Sequence, residues 1–125
     1  RAFAPRLPAH GSVTLVTGAA ARAALPGTSG LAAVNGALEA MAKVLAVELA
    51  PRRVNTVSPG MTATEAYAGL PDEARKGMFA ATAAKLPAGR IGAPEDIAQA
   101  ILLTAASPFI TGATLDVDGG AHLAR

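Results

Sequence analysis

The sequence has no cysteine and no tryptophan, and only one tyrosine and three phenylalanines in 125 residues. Without cysteine there is no disulfide, no thiolate zinc site and no cysteine nucleophile, which fits a reducing compartment, by default the cytoplasm. So few aromatics leave no stacking set for the bases of RNA or DNA. Charge of one sign is scarce as well: 11 basic and 9 acidic residues give a net +2 without any basic run, so nucleic acid is not an expected partner. The longest apolar helical stretch is broken by Asn35, Glu39, Lys43 and Glu48, and the N-terminus lacks a signal-type apolar segment. No membrane-spanning segment is therefore expected, and no membrane partner.

What the sequence has is aliphatic. Hydrophobic residues make up 51% and charged residues 16% of the chain, enough for a single core, so residues 1–125 read as one domain. Alanine and branched aliphatics dominate, and such small side chains let helices approach closely. The chain opens on Arg1 rather than Met, and residues 1–10 read like the end of a helix begun upstream, the mark of a fragment.

Ser12 to Thr17 is a β-branched run between two glycines and predicts a buried strand. Pro26-Gly27-Thr28-Ser29-Gly30 is a cluster of turn formers. After it Leu31, Val34, Leu38, Met41, Leu45 and Leu49 recur in steps of three and four, predicting a helix with one apolar face that ends at Pro51. Arg53 to Ser58 alternates as a second strand, which Pro59-Gly60 stops. Pro71-Asp72-Glu73 and Pro94-Glu95-Asp96 each open a helix, because proline suits the first turn and the acids suit its dipole. The first of these, to about Lys85, has weak apolar periodicity and reads as a mobile cover. The second runs to about Ala106, and Thr114 to Val117 predicts the last strand. Strand, helix, strand, helices, strand is the order of a parallel α/β sheet with right-handed crossovers.

Three segments carry a resemblance: Val54-Asn55-Thr56-Val57-Ser58-Pro59-Gly60 with Thr64, Gly89-Arg90-Ile91-Gly92-Ala93-Pro94-Glu95-Asp96-Ile97-Ala98, and Ile110 through Gly120. In this order and spacing the chain resembles the short-chain dehydrogenase/reductase family, and within it the three-oxoacyl reductase branch. The resemblance runs from about Gly11 to Gly120. It implies a partial Rossmann-like parallel sheet of three strands, the fifth to seventh of the family, with flanking helices. It also implies that the family's first half, with its glycine-rich pyrophosphate turn, is absent. Val13-Thr14-Leu15-Val16-Thr17-Gly18 could instead be read as that first strand and turn. The later glycines of the motif would then fall at Arg22 and Ala24, whose side chains would crowd a pyrophosphate.

Family catalysis uses a tyrosine acid/base, a lysine four residues on that lowers its pKa, and a serine on the fifth strand. The resemblance places these roles at Leu31, Asn35 and Gly18, none of which can perform them, so no catalytic residue is expected. Tyr67, the one tyrosine, reads as a packing aromatic on the segment that folds over substrate. Thr17 and Ser29 carry hydroxyls without a base, and His10 and His122 have no metal-like spacing to a carboxylate, so both read as solvated and no metal is expected. The element that survives is the cofactor turn. The resemblance implies that Pro59, Gly60, the Thr62 backbone and Thr64 hold the nicotinamide end of NAD or NADP; the bland alternative is a strand-ending turn. Asn55 either steadies that strand's end or is simply structural.

The family also oligomerises through the long helix and the last strand, so a homo-oligomer or a pairing with a related chain is the expected partner, beside an unidentified small-molecule substrate. Three functions stay open: part or relative of an NAD(P)-dependent oxidoreductase that is inactive alone, a non-catalytic oligomerising or scaffold relative, and a remnant.

Overall fold

The computed structural model describes residues 4–24 and 26–123. Its strands are β1 (Ser12–Val16), β2 (Arg53–Pro59) and β3 (Thr114–Val117), and its helices α1 (Ser29–Glu48), α2 (Asp72–Ala83) and α3 (Pro94–Ala106). All strands run parallel in the order β1-β2-β3, with Val13 beside Val54 and Val57 beside Leu115. The expected partial Rossmann-like α/β sheet with flanking helices is what forms. Each observed element lies within a few residues of its expected range, as helix ends commonly vary.

Side chains alternate across a strand, so successive residues of β2 serve opposite faces. On one face, Arg53 donates to Thr104 O at 2.7 Å and Ala105 O at 2.6 Å, and Thr14 shares a 3.0 Å hydrogen bond with Thr104; both contacts are to α3. On the other, Thr17 and Asp116 are tied to Glu39 of α1, the second through Arg22. The two helices thus cover opposite faces of the sheet.

β2 is central and fully buried from Val54 to Ser58, though three of those five residues are polar. Burial of polar groups is tolerable when they are hydrogen-bonded. Asn55 donates to Ile110 O at 2.9 Å and accepts from Ala113 N at 3.1 Å, and Thr56 donates to Thr114 Oγ1 at 2.6 Å. Asn55 therefore clamps the loop before β3 onto the central strand, one of the two roles open to it.

Residues 4–6 form a single 3-10 turn and Gly11 N bonds back to Pro8 O; the helix end expected over residues 1–10 falls in part on Arg1 to Phe3, which lie outside the described residues. Two expectations hold only in part. The apolar stripe read from α1 packs only in part. Leu38, Leu45 and Leu49 are half-buried, whereas Val34 is 61% exposed and Leu31 and Met41 also face outward; the most buried residue of the helix is Ala42, at 2%. The packing face is turned toward Ala42 and Asn35, because a small side chain lets the helix axis come close to the sheet. Finally, the charges do not disqualify α1 on composition: its 20 residues reach a hydropathy of 1.4, long and apolar enough to cross a membrane by those measures alone. In the fold it lies against β2, with Glu39 hydrogen-bonded to Thr17.

Candidate functional site

The C-terminal ends of the three strands meet at one edge of the sheet, where open α/β sheets bind ligands. β1 runs out into Thr17 and Gly18. A Cβ placed on Gly18 would lie 3.1 Å from Asn35 Nδ2 and 3.9 Å from Pro59 O. Two positions that the resemblance assigns to catalysis are thus in contact with each other and beside the expected cofactor turn. Leu31, the third, lies one turn before Asn35 on α1 and is exposed. The fold brings these positions together although none bears a group that titrates.

The cofactor turn is shaped by the chain itself. Gly60 N donates to Val117 O at 3.0 Å, and a Cβ on Gly60 would come within 2.7 Å of Asp118 Cα. Glycine is required here by the close passage of β3's end. The buried Thr62 hydroxyl donates to Gly60 O at 3.1 Å, and the Thr62 stretch is bridged in parallel to Gly92. Thr64 is exposed, at the start of a short 3-10 turn (Glu65–Tyr67), and lines an open hollow of about 670 Å³ with Glu65, Arg75 and Phe79. Tyr67 packs edge-on against Phe79 with ring centroids 5.3 Å apart, in accord with its reading as a packing aromatic. The four cofactor-turn residues therefore form one continuous run from the sheet edge to this hollow.

Below this rim lies a polar network that the sequence reading missed. Glu39 accepts from Thr17 Oγ1 at 3.2 Å and from Arg22 at 3.0 Å, and the other arm of Arg22 binds Asp116. Thr17 is thus not a hydroxyl without a carboxylate, but Arg22 claims that carboxylate. Ser58, the register partner of Asp116, is fully buried and its hydroxyl has no partner among the described residues. No sequence signal marks these groups, because Thr17, Arg22, Glu39 and Asp116 come from four separate segments.

His122 is exposed, as read, but its ring is held by a carboxylate. Asp118 is buried and accepts from His122 Nδ1 at 2.7 Å, His122 N at 3.0 Å and Gly120 N at 2.9 Å. Gly119 and Gly120 at φ +64° and +87° make the turn that brings His122 back, four residues after Asp118. This i,i+4 spacing after a glycine pair was the available signal. With Asp116 the pair lies close enough for joint ligation of a cation, their ligand atoms within 4.8 Å of one another. Arg22 nevertheless engages Asp116, and three donors engage Asp118. These residues and Arg90 line a cavity of about 330 Å³.

At the start of α3, Arg90 makes a two-pronged ion pair to Asp96 at 2.7 and 2.9 Å, and Asp96 also accepts from Ala93 N at 2.7 Å. Arg90 first, and then the Ala93 amide, hold the Asp96 carboxyl down at about 2. Proton titration of this side chain by NMR should give a midpoint near 2, below every ordinary carboxylate, and a midpoint near 4 would deny the pair in solution. Stability linked to it is present above the ordinary carboxylate range and is lost as pH falls through 2. Pro94-Glu95-Asp96 is a helix start, as read.

The family described as Enoyl-(Acyl carrier protein) reductase matches the chain over residues 1–122. The chain is 42% identical over 112 residues to the short-chain dehydrogenase/reductase ATR9 of Stachybotrys chlorohalonatus, covering 90% of this chain and 44% of that protein. It is 36% identical over 115 residues to the 3-oxoacyl-[acyl-carrier-protein] reductase FabG of Thermotoga maritima, covering 89% and 45%. A solved small-chain dehydrogenase in complex with NADPH superposes with a TM-score of 0.92 at 47% identity, covering 96% of this chain and 55% of that one. The chain thus spans about half the length of these relatives. A matching family over nearly every residue, together with a common sheet and helix arrangement, assigns it: the chain belongs to the short-chain dehydrogenase/reductase family.

Proposed function

We propose that this chain supplies the nicotinamide side of an NAD or NADP site, and that its own residues carry out no proton transfer, so that it is inactive alone. The observation that supports the reading is the meeting of Gly18, Asn35 and Pro59 at the sheet edge, positions to which the family resemblance gives the serine, the lysine and the cofactor turn. A bound nicotinamide would supply hydride chemistry. Toward it, Pro59 and Gly60 turn the backbone, and the Thr62 backbone and Thr64 offer hydrogen bonds to the carboxamide. Asn35 can donate and accept hydrogen bonds but carries no positive charge to lower a neighbour's pKa. Leu31 offers neither proton nor lone pair.

Calorimetric titration of the 125-residue chain with NADH and NADPH tests this. A half-site should bind no tighter than about 1 mM, worth about 4 kcal/mol. Micromolar binding of either cofactor would overturn the half-site reading, and carbonyl-dependent oxidation of NADPH would overturn the inactive one.

One observation favours a second reading, a non-catalytic relative that assembles with its own kind or with a related chain. Leu31, Val34, Met41, Val44 and Val47 leave α1 with large side chains in solvent, Val47 at 78% exposure. An apolar face of this size on a helix otherwise held to the sheet is the kind of surface that marks association.

A further inference from the structure

Gly18 meets Asn35 only while the segment that carries it is held in place, and that segment has few means of holding itself. Residues 18–22 leave β1 as a single 3-10 turn (Ala19–Ala21), with Gly18 before it and no side-chain cap. Its backbone bonds are internal: Ala21 N donates to Gly18 O at 3.0 Å, and Arg22 N and Ala23 N donate to Ala19 O at 2.9 and 2.8 Å. Among the described residues, no backbone hydrogen bond joins residues 18–22 to another element. Three successive alanines carry no polar group, and apolar contact is non-directional, so it can press the turn against a neighbour without setting its register. Register must come from directional bonds at the two ends of the segment.

Both ends reach one side chain. Before the turn, Thr17 Oγ1 donates to Glu39 Oε1 at 3.2 Å; after it, Arg22 Nη1 donates to Glu39 Oε2 at 3.0 Å. Each oxygen of one carboxylate thus holds one flank of Gly18. On α1, Glu39 follows Asn35 by four residues, so the two side chains stand one above the other on the same face of the helix. Arg22 likewise follows Gly18 by four residues. The contacts of 18 with 35 and of 22 with 39 are therefore two rungs between the same two segments, and the second is charge-assisted and the stronger. Glu39 is largely shielded, its side chain 12% exposed, and the other arm of Arg22 is fixed by Asp116 of β3. Gly18 itself also lies beside Pro59 O, so whatever holds residue 18 shapes the wall of the cofactor turn.

We propose that Glu39 is the positioning residue of this edge: by accepting from Thr17 and Arg22 it holds Gly18 against Asn35 and beside Pro59. The inference rests on the reading of that edge as a nicotinamide half-site. Glu39 touches neither cofactor nor substrate, and acts through the two residues it binds.

The test is nuclear Overhauser spectroscopy of the 125-residue chain, reading the cross-peak between the Asn35 side-chain amide and the Gly18 Hα protons, with amide exchange on the same samples. A Cβ on Gly18 would lie 3.1 Å from Asn35 Nδ2, so the proton that takes its place should give a strong cross-peak in the wild type. Glu39→Ala should abolish that cross-peak and speed exchange of the Ala21 and Arg22 amides about tenfold by local opening, with an unchanged circular dichroism spectrum. Glu48→Ala, the same substitution at an exposed position of the same helix, should leave both readouts as they are. Thr17→Val with Arg22→Ala removes the two donors and keeps the carboxylate, and should reproduce the effect of Glu39→Ala; it decides the matter alone if Glu39→Ala does not fold. Thr17→Ser, which keeps the hydroxyl, should retain the cross-peak. A cross-peak that persists in Glu39→Ala or in the double variant, or that Glu48→Ala or Thr17→Ser also removes, would overturn the role of Glu39 and leave the half-site reading standing. A wild type without the cross-peak would overturn that reading too, because Gly18 and Asn35 would not meet.

Discussion

Gly60→Ala is expected to destabilise the chain by about 3 kcal/mol, read as a lower urea midpoint with an unchanged slope. The added methyl would stand 2.7 Å from Asp118 Cα and 3.0 Å from Asp118 O. Those are backbone atoms, held by the Gly60 N to Val117 O bond and by the hydrogen bonds of Asp118, and they cannot swing aside as a flexible side chain could. A domain of this size has only about 6–19 kcal/mol in total, so the loss is a large share of it. The matched control is Gly36→Ala. Gly36 lies inside α1 with nothing within 4 Å of a new Cβ, and the gain in helix propensity should stabilise the chain by up to about 1 kcal/mol. Equal effects of the two substitutions would show that the close approach of the cofactor turn to β3's end is absent in solution.

Asp118→Ala is expected to cost about 2–3 kcal/mol near neutral pH, because it leaves the amides of Gly120 and His122 without their acceptor in a part-buried turn. The wild-type chain should also carry a pH signature that the variant lacks. Burial pushes the Asp118 carboxyl up, but the His122 side chain and the amides of Gly120 and His122 together outweigh it and hold the group below its ordinary value. A carboxyl lowered in the folded state contributes stability that is fully present above the ordinary carboxylate range. That contribution is lost as pH falls through the lowered folded value. Urea midpoints measured from pH 7 downward should therefore fall for the wild type and more shallowly for Asp118→Ala. Parallel curves would mean that Asp118 is not hydrogen-bonded as described. Because Asp118 packs on Gly60, the same variant should loosen the cofactor turn.

Much of the architecture was legible in the residues, since its signals are local. The β-branched runs at Ser12–Val16 and Thr114–Val117, the Pro59-Gly60 stop and the two Pro-acid helix starts each act through their own backbone, and each marks an observed element. The helix face was legible only in part, because periodicity reports where apolar residues recur, while the side that packs is chosen by how near the sheet can come: Leu38, Leu45 and Leu49 are half-buried, but Ala42 is buried and Val34 is not. The site was half legible. Gly18, Asn35 and Pro59 were singled out by position in a motif, and the structure brings them together. Asp118 with His122 and Arg22 with Glu39 and Asp116 were not. In the first pair the i,i+4 spacing was weighed only as metal ligation, and in the second the partners are up to 94 residues apart.

By itself, the sequence determined the class of fold and the order of its elements, because these follow from residue identity and short-range spacing. Only the tertiary structure decided that Gly60 serves the close passage of Asp118 and that a buried carboxylate captures His122. Those facts depend on which distant backbone segments come within a few ångströms of one another, and no local rule of propensity or periodicity encodes that distance.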